Sequence, residues 1–154
     1  MDLEDFLSPE QIATLDCMTR RMVPSDDGPG AAEANVMGHI RWRLEHPAYG
    51  PPRKRLASGL DLLASQCRKK HGKAFPECTA REQDEVLADL KKVRHVVVWQ
   101  FLADVLSWTL AGYLCDPKYG GNRGEVGWEY IGFRPERRPG SSHFERGRDG
   151  DAGD

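Results

Sequence analysis

The chain has 154 residues, of which 30% are charged, and a formal net charge of −2. Such a length makes one domain that buries roughly two-thirds of its extended surface, and the even charge balance supplies no field for nucleic acid or an anionic bilayer. The four cysteines, Cys17, Cys67, Cys78 and Cys115, contain no C-x-x-C pair, which argues against a zinc ribbon, a thioredoxin-type motif, a c-type haem site and a disulfide-built scaffold. They read as separate thiols, with one or two disulfides or a bond to a partner left open.

Met1-Asp2-Leu3-Glu4-Asp5 is acidic and leads into no apolar run, so no signal peptide is read there. Ser8, Pro9 and Gln11 form an N-cap, a first-turn proline and a capping-box partner, which predicts a helix over 9–22. Ile12, Leu15, Met18 or Thr19, and Met22 face inward on it. Arg20-Arg21 lacks the apolar stretch of a twin-arginine signal and reads as surface charge. Pro24 to Gly30 is a loop; its Asp26 and Asp27 lack the acidic ladder of a calcium loop and read as turn and cap residues. A second helix is expected over 31–45, with Ala34, Met37, Ile40 and Leu44 inward, ended by the Pro/Gly-rich stretch at 46–52. The third, over 53–71, carries Leu56, Leu60, Leu63 and Cys67 as a stripe and Gly72 as its C-cap. Its flanking Arg53-Lys54-Arg55 and Arg68-Lys69-Lys70 lack interleaved aromatics and read as solvated charge. Thr79 and Glu82 open a fourth helix that turns Val86, Leu87, Leu90 and Val93 inward.

The fifth helix, over 96–114, has Asp104 as its one formal charge. Its length approaches that of a membrane span, but a mid-helix charge and amphipathic neighbours point to the central helix of a bundle, with Asp104 at water, a cap or a partner and with Trp99 and Trp108 in the core. Pro117 then biases Asp116 away from helix, and Gly120, Gly121 and Asn122 readily take positive φ, so a fixed turn follows. Tyr119, Trp128, Tyr130 and Phe133 make this segment aromatic. From Arg134 onward apolar content vanishes and a solvated tail is expected.

No catalytic template fits. The five histidines form no H-x-x-x-H or H-E-x-x-H pair, no G-x-S-x-G elbow occurs, and Tyr119 to Gly124 lacks the Gly-Lys-Ser/Thr of a phosphate loop.

Phe6-Leu7-Ser8-Pro9-Glu10-Gln11, Arg20-Arg21-Met22-Val23-Pro24, Asp26-Asp27-Gly28-Pro29-Gly30-Ala31 and Glu33-Ala34-Asn35-Val36 carry a resemblance together with Asp116-Pro117-Lys118-Tyr119-Gly120-Gly121-Asn122, Gly127-Trp128 and Ile131-Gly132-Phe133. From about Phe6 to Phe133 the chain resembles the gluconate 2-dehydrogenase subunit 3 family. It departs from that pattern at Trp108, where His is common, at Ala111, where an acidic residue is common, and at Arg134-Pro135, where Pro-Gly usually follows.

The resemblance implies a non-catalytic small subunit. It would bind, and help fold, mature or export, the FAD-containing large subunit of a sugar or polyol dehydrogenase of the glucose-methanol-choline type, acting on gluconate, glucose, fructose or a glucoside. No cofactor is expected in this chain. FAD resides in the partner, with haem c, an iron-sulfur cluster or a cytochrome c subunit elsewhere in the complex. The expected location is periplasmic, or membrane-associated through the complex and without a span of its own; export with a partner and a cytoplasmic complex stay open. The expected partner interface is Asp116, Pro117, Tyr119, Gly120, Gly121, Asn122, Gly127, Trp128 and Phe133. The expected fold is all-α: about five helices around a central apolar one over residues 1–133, a structured aromatic loop, and a disordered tail over 134–154. The alternatives are a stand-alone small-ligand enzyme and an unrelated helical adaptor.

Overall fold

Helix signals dominate the chain, and the computed structural model is all-α across the residues it describes, 2–135. The tail expected from residue 134 lies, beyond Pro135, outside the described residues. Among the described residues there are six α-helices: α1 (Pro9–Met22), α2 (Val36–Glu45), α3 (Gly50–His71), α4 (Ala80–Lys91), α5 (Val96–Leu114) and α6 (Val126–Ile131). Short 3-10 turns lie between α2 and α3, between α3 and α4, and between α5 and α6.

Local chemistry explains most of the boundaries. At α1 the Ser8 hydroxyl accepts from the Gln11 amide at 3.2 Å, and the Gln11 side chain accepts from the Ser8 amide at 2.8 Å. The same reciprocal pair opens α4, with Thr79 and Glu82 at 3.3 and 2.8 Å. Thr79→Ala is expected to lower stability by about 1 kcal/mol, read as a shifted urea midpoint at unchanged slope. The Glu82 carboxyl is held down to about 2 by Lys73 and by the Thr79 amide. Its folded-state value lies below its unfolded one, so its contribution is present above pH 4.5 and is lost as pH falls toward 2. Glu82→Gln is expected to flatten that part of the acid-unfolding curve.

Two helices begin where the sequence pattern does not put them, and α6 forms within the stretch read as an aromatic loop. The second starts at Val36 instead of residue 31, because Asn35 takes the left-handed region (φ 53°) and turns the chain just before it. The third starts at Gly50 instead of residue 53. Its prolines, Pro51 and Pro52, occupy the first turn, where a missing N–H breaks no helical bond. Val93, expected inward, is 38% exposed because it lies past the end of α4.

The core is one cluster. Leu15 and Met18 of α1, Ile40 and Leu44 of α2, Leu56, Leu60 and Leu63 of α3, Val86 and Leu90 of α4, and Phe101 and Val105 of α5 are all essentially inaccessible. The apolar α5 is central, packing on α1, α2, α3, α4 and α6. Asp104 finds its partner in Arg55 of α3, at 2.6 Å.

Trp108 is buried as expected, but Trp99 is not: it is 53% exposed. The neighbours cover only part of α5, and Val96, Trp99, Ala103, Leu106, Leu110 and Leu114 lie along an uncovered stripe at three- and four-residue spacing. A helix apolar on every side carries no periodic signal of which side its neighbours will cover. By length and composition alone α5 would also reach across a bilayer.

Candidate partner interface at the C-terminal loop

After α5 the chain makes a compact loop whose every turn has a local cause. Asp116 is extended (φ −61°, ψ 132°), as a residue before proline must be, and its carboxylate accepts from the Lys118 amide at 3.0 Å. Pro117–Tyr119 forms one 3-10 turn, and Gly120 closes it at φ 89°. Asn122, also left-handed at φ 43°, opens a second turn, Arg123–Glu125.

Asn122 is the hub. It is fully buried. Its amide nitrogen donates to the Cys115 carbonyl at 2.9 Å, and its side-chain oxygen accepts from the Gly127 amide at 2.8 Å. Its own backbone N–H donates to the Gly112 carbonyl at 2.7 Å. One side chain thus ties the end of α5 to the start of α6. Gly121 and Gly127 let the backbones close in: a β-carbon on either would overlap a carbonyl oxygen of α5, that of Gly112 or Tyr113. The Trp128 indole N–H donates to the Leu114 carbonyl at 2.6 Å, and Phe133 packs edge-on against Trp128 at 5.3 Å.

A second set of ties reaches α2. The Asn35 side chain donates to the Gly120 carbonyl at 2.9 Å, and the Arg123 amide donates to the Ala34 carbonyl at 3.0 Å. His39 lies 3.0 Å from the Tyr119 carbonyl through Nδ1. A carbonyl only accepts, so Nδ1 carries the proton. Its Nε2 is buried and finds no hydrogen-bond partner among the described residues. Burial pulls the His39 pKa below its ordinary 6.5, with the Arg43 charge adding to the effect. A base with a lowered folded-state pKa contributes stability above the unfolded value and loses it as pH falls below 6.5. The expected result is a drop in stability on acidification below that pH, which His39→Gln shrinks.

The expected interface residues therefore separate into three groups. Gly121, Asn122, Gly127 and Trp128 are buried and build the loop from inside. Tyr119 (38%) and Phe133 (49%) are exposed, and Asp116, Pro117 and Gly120 lie between these extremes. Sequence reasoning missed Asn35, His39 and Trp42. Trp42 is 49% exposed and links His39 (ring centroids 5.7 Å apart, stacked) to Tyr119 (5.0 Å). The available signal was weak: an Asn after Gly-Pro-Gly-Ala-Ala-Glu-Ala, and a Trp three residues after a His. Tyr130 (57%) and Ile131 (55%) on α6 extend the exposed apolar surface. No group of three or more His, Cys, Asp or Glu side chains suited to a metal ion occurs among the described residues.

These features define a class: a small all-helical protein whose C-terminal loop is locked onto two helices by buried asparagine and glycine, with aromatic side chains left outside. The model of the family "Gluconate 2-dehydrogenase subunit 3" matches residues 9–135, and the chain belongs to that family. The family name is that of one subunit of a multi-subunit dehydrogenase. No curated protein and no solved structure matches the chain.

Proposed function

We propose that this chain is the non-catalytic small subunit of an FAD-dependent sugar or polyol dehydrogenase complex. It binds the large flavin-carrying subunit, of the glucose-methanol-choline type, and helps it fold, mature or be exported. The electrons leave through other members of the complex, a cytochrome c or an iron-sulfur subunit. The assembled complex works in the periplasm or at the membrane face, and α5 packs within the complex without crossing the bilayer.

The observation that carries this reading is the uncovered apolar side of α5. Trp99, Leu106 and Leu110 are 53%, 44% and 46% exposed on a helix whose opposite side is core. A contiguous apolar surface of this kind marks a docking site. A groove of about 450 Å³ beside it is lined by Met22, Leu87, Ala88, Leu102 and Leu106, with the Arg21–Asp84 ion pair alongside. The aromatic residues Trp42, Tyr119, Tyr130 and Phe133 supply the large, rigid anchors that dominate binding energy at such interfaces. The occupant is the large subunit, since a family named for one subunit of a dehydrogenase has that enzyme as its natural partner.

The test is co-expression with the large dehydrogenase subunit. The soluble, FAD-loaded yield of that subunit is expected to rise when this chain is present, and the two are expected to co-purify. Gly121→Val distorts the loop and is expected to abolish the gain. An unchanged yield with the variant removes the loop from the role assigned to it; flavin absorbance or turnover by this chain alone overturns the whole reading.

A further inference from the structure

Cys67 sits near the end of α3, and Cys78 caps the 3-10 turn Phe75–Glu77 that leads into α4. They are 11 positions apart in sequence, yet their sulfurs lie 3.2 Å apart. Both side chains are buried, at 0% and 7% exposure. The chain between them reverses direction through Gly72, whose φ of 69° sets the turn. The segment is held from both sides. The Gln83 side chain donates to the Phe75 carbonyl at 2.9 Å, and Lys73 pairs with Glu82 at 2.7 Å. A sulfur–sulfur bond measures roughly 2.05 Å, so closing this pair takes about 1 Å of side-chain movement.

We propose that Cys67 and Cys78 form an intramolecular disulfide under oxidising conditions, stapling α3 to α4. In a reducing compartment the same pair remains two packed thiols. The co-reactant is an external disulfide, small or carried by a thiol oxidase. One protein thiolate attacks it, forming a mixed disulfide and releasing one thiol. The second protein sulfur then displaces the other half. The sum is two protein thiols plus R–S–S–R giving one protein disulfide plus two R–SH. Cys78 is the entry point, being the more accessible and lying in a turn instead of a helix. Burial, with the neighbouring Cys78 sulfur adding to it, pushes the Cys67 thiol up to about 12, which makes it a poor first attacker.

The experiment refolds the full, reduced chain in a glutathione redox buffer, traps free thiols with iodoacetamide, and digests with trypsin. Cleavage after Arg55, Arg68, Lys73 and Arg81 separates the two cysteines onto peptides 56–68 and 74–81. The expected result is one linked mass for these two peptides that splits on reduction, with Cys17 and Cys115 alkylated. The oxidised chain is also expected to melt about 5–10 °C above the reduced one. That gap is expected to vanish in Cys67→Ala/Cys78→Ala, which keeps the site apolar, and to persist in Cys17→Ser. Alkylation of both Cys67 and Cys78 after refolding, or linkage of either to Cys17, Cys115 or glutathione as the main product, overturns the proposal.

Discussion

Replacing Asn122 with alanine is expected to lower the stability of this chain by about 3–5 kcal/mol, among the larger effects a single residue produces. Three costs combine. The Cys115 carbonyl and the Gly127 amide lose the partners they have at 2.9 and 2.8 Å, both made by a side chain that is itself fully buried. Leaving a buried polar group unmade costs about 1–3 kcal/mol each. Alanine must then hold a φ of 43°, which asparagine tolerates better than any other non-glycine residue. Urea unfolding followed by far-UV circular dichroism measures it. Asn122→Asp separates the terms, because it keeps the acceptor for Gly127 but sets a carboxylate against the Cys115 carbonyl. Burial disfavours that charge, so the folded-state pKa of the new acid is raised. Its destabilisation is therefore greatest at neutral pH and eases as pH falls and the acid gains a proton to donate. A loss under 1 kcal/mol in Asn122→Ala would mean that the glycine contacts alone hold the loop.

The second large effect is on association. The double variant Trp99→Gln, Leu110→Lys is expected to weaken capture of the large subunit by at least 30-fold while the isolated chain melts as before. Loss of a central anchor costs roughly 2 kcal/mol or more, which is about 30-fold in affinity. Both residues are about half exposed in the free chain, and glutamine and lysine are good helix formers, so the fold has little reason to respond. Tm of the free chain and a dissociation constant from a titration with the purified large subunit give the two readouts. Unchanged affinity would move the interface off α5. Unchanged affinity with an intact Tyr119, Tyr130 and Phe133 edge would leave the loop side as the contact.

Much of this architecture is written in short-range chemistry. The helix α5 occupies 96–114 in the structure as the apolar run predicts, since His95 accepts from the Val97 amide at one end and Asp116-Pro117 stops it at the other. The capping boxes at Ser8 and Thr79, the Leu56-Leu60-Leu63-Cys67 stripe and the left-handed Gly72 are equally local. The loop after α5 was legible as a fixed turn because proline, paired glycines and asparagine each restrict or permit backbone angles by themselves. Its anchoring to α2 was not legible. Asn35 and Gly120 are 85 positions apart, and His39 and Tyr119 are 80 apart. No pattern within a window of one helix connects them.

By itself, then, the sequence determined five of the six helices, where caps and prolines end most of them, and that a segment of restricted backbone follows α5; α6, inside that segment, it did not show. Those outcomes depend on dihedral preference and on hydrogen bonds spanning three or four residues. Only the tertiary structure decided which side of α5 stays bare, that Asn122 is a buried hub and Trp128 an inward brace, and that Cys67 and Cys78 meet. Each of those depends on how rigid helices cross, a matter of packing between residues far apart along the chain, for which local composition holds no record.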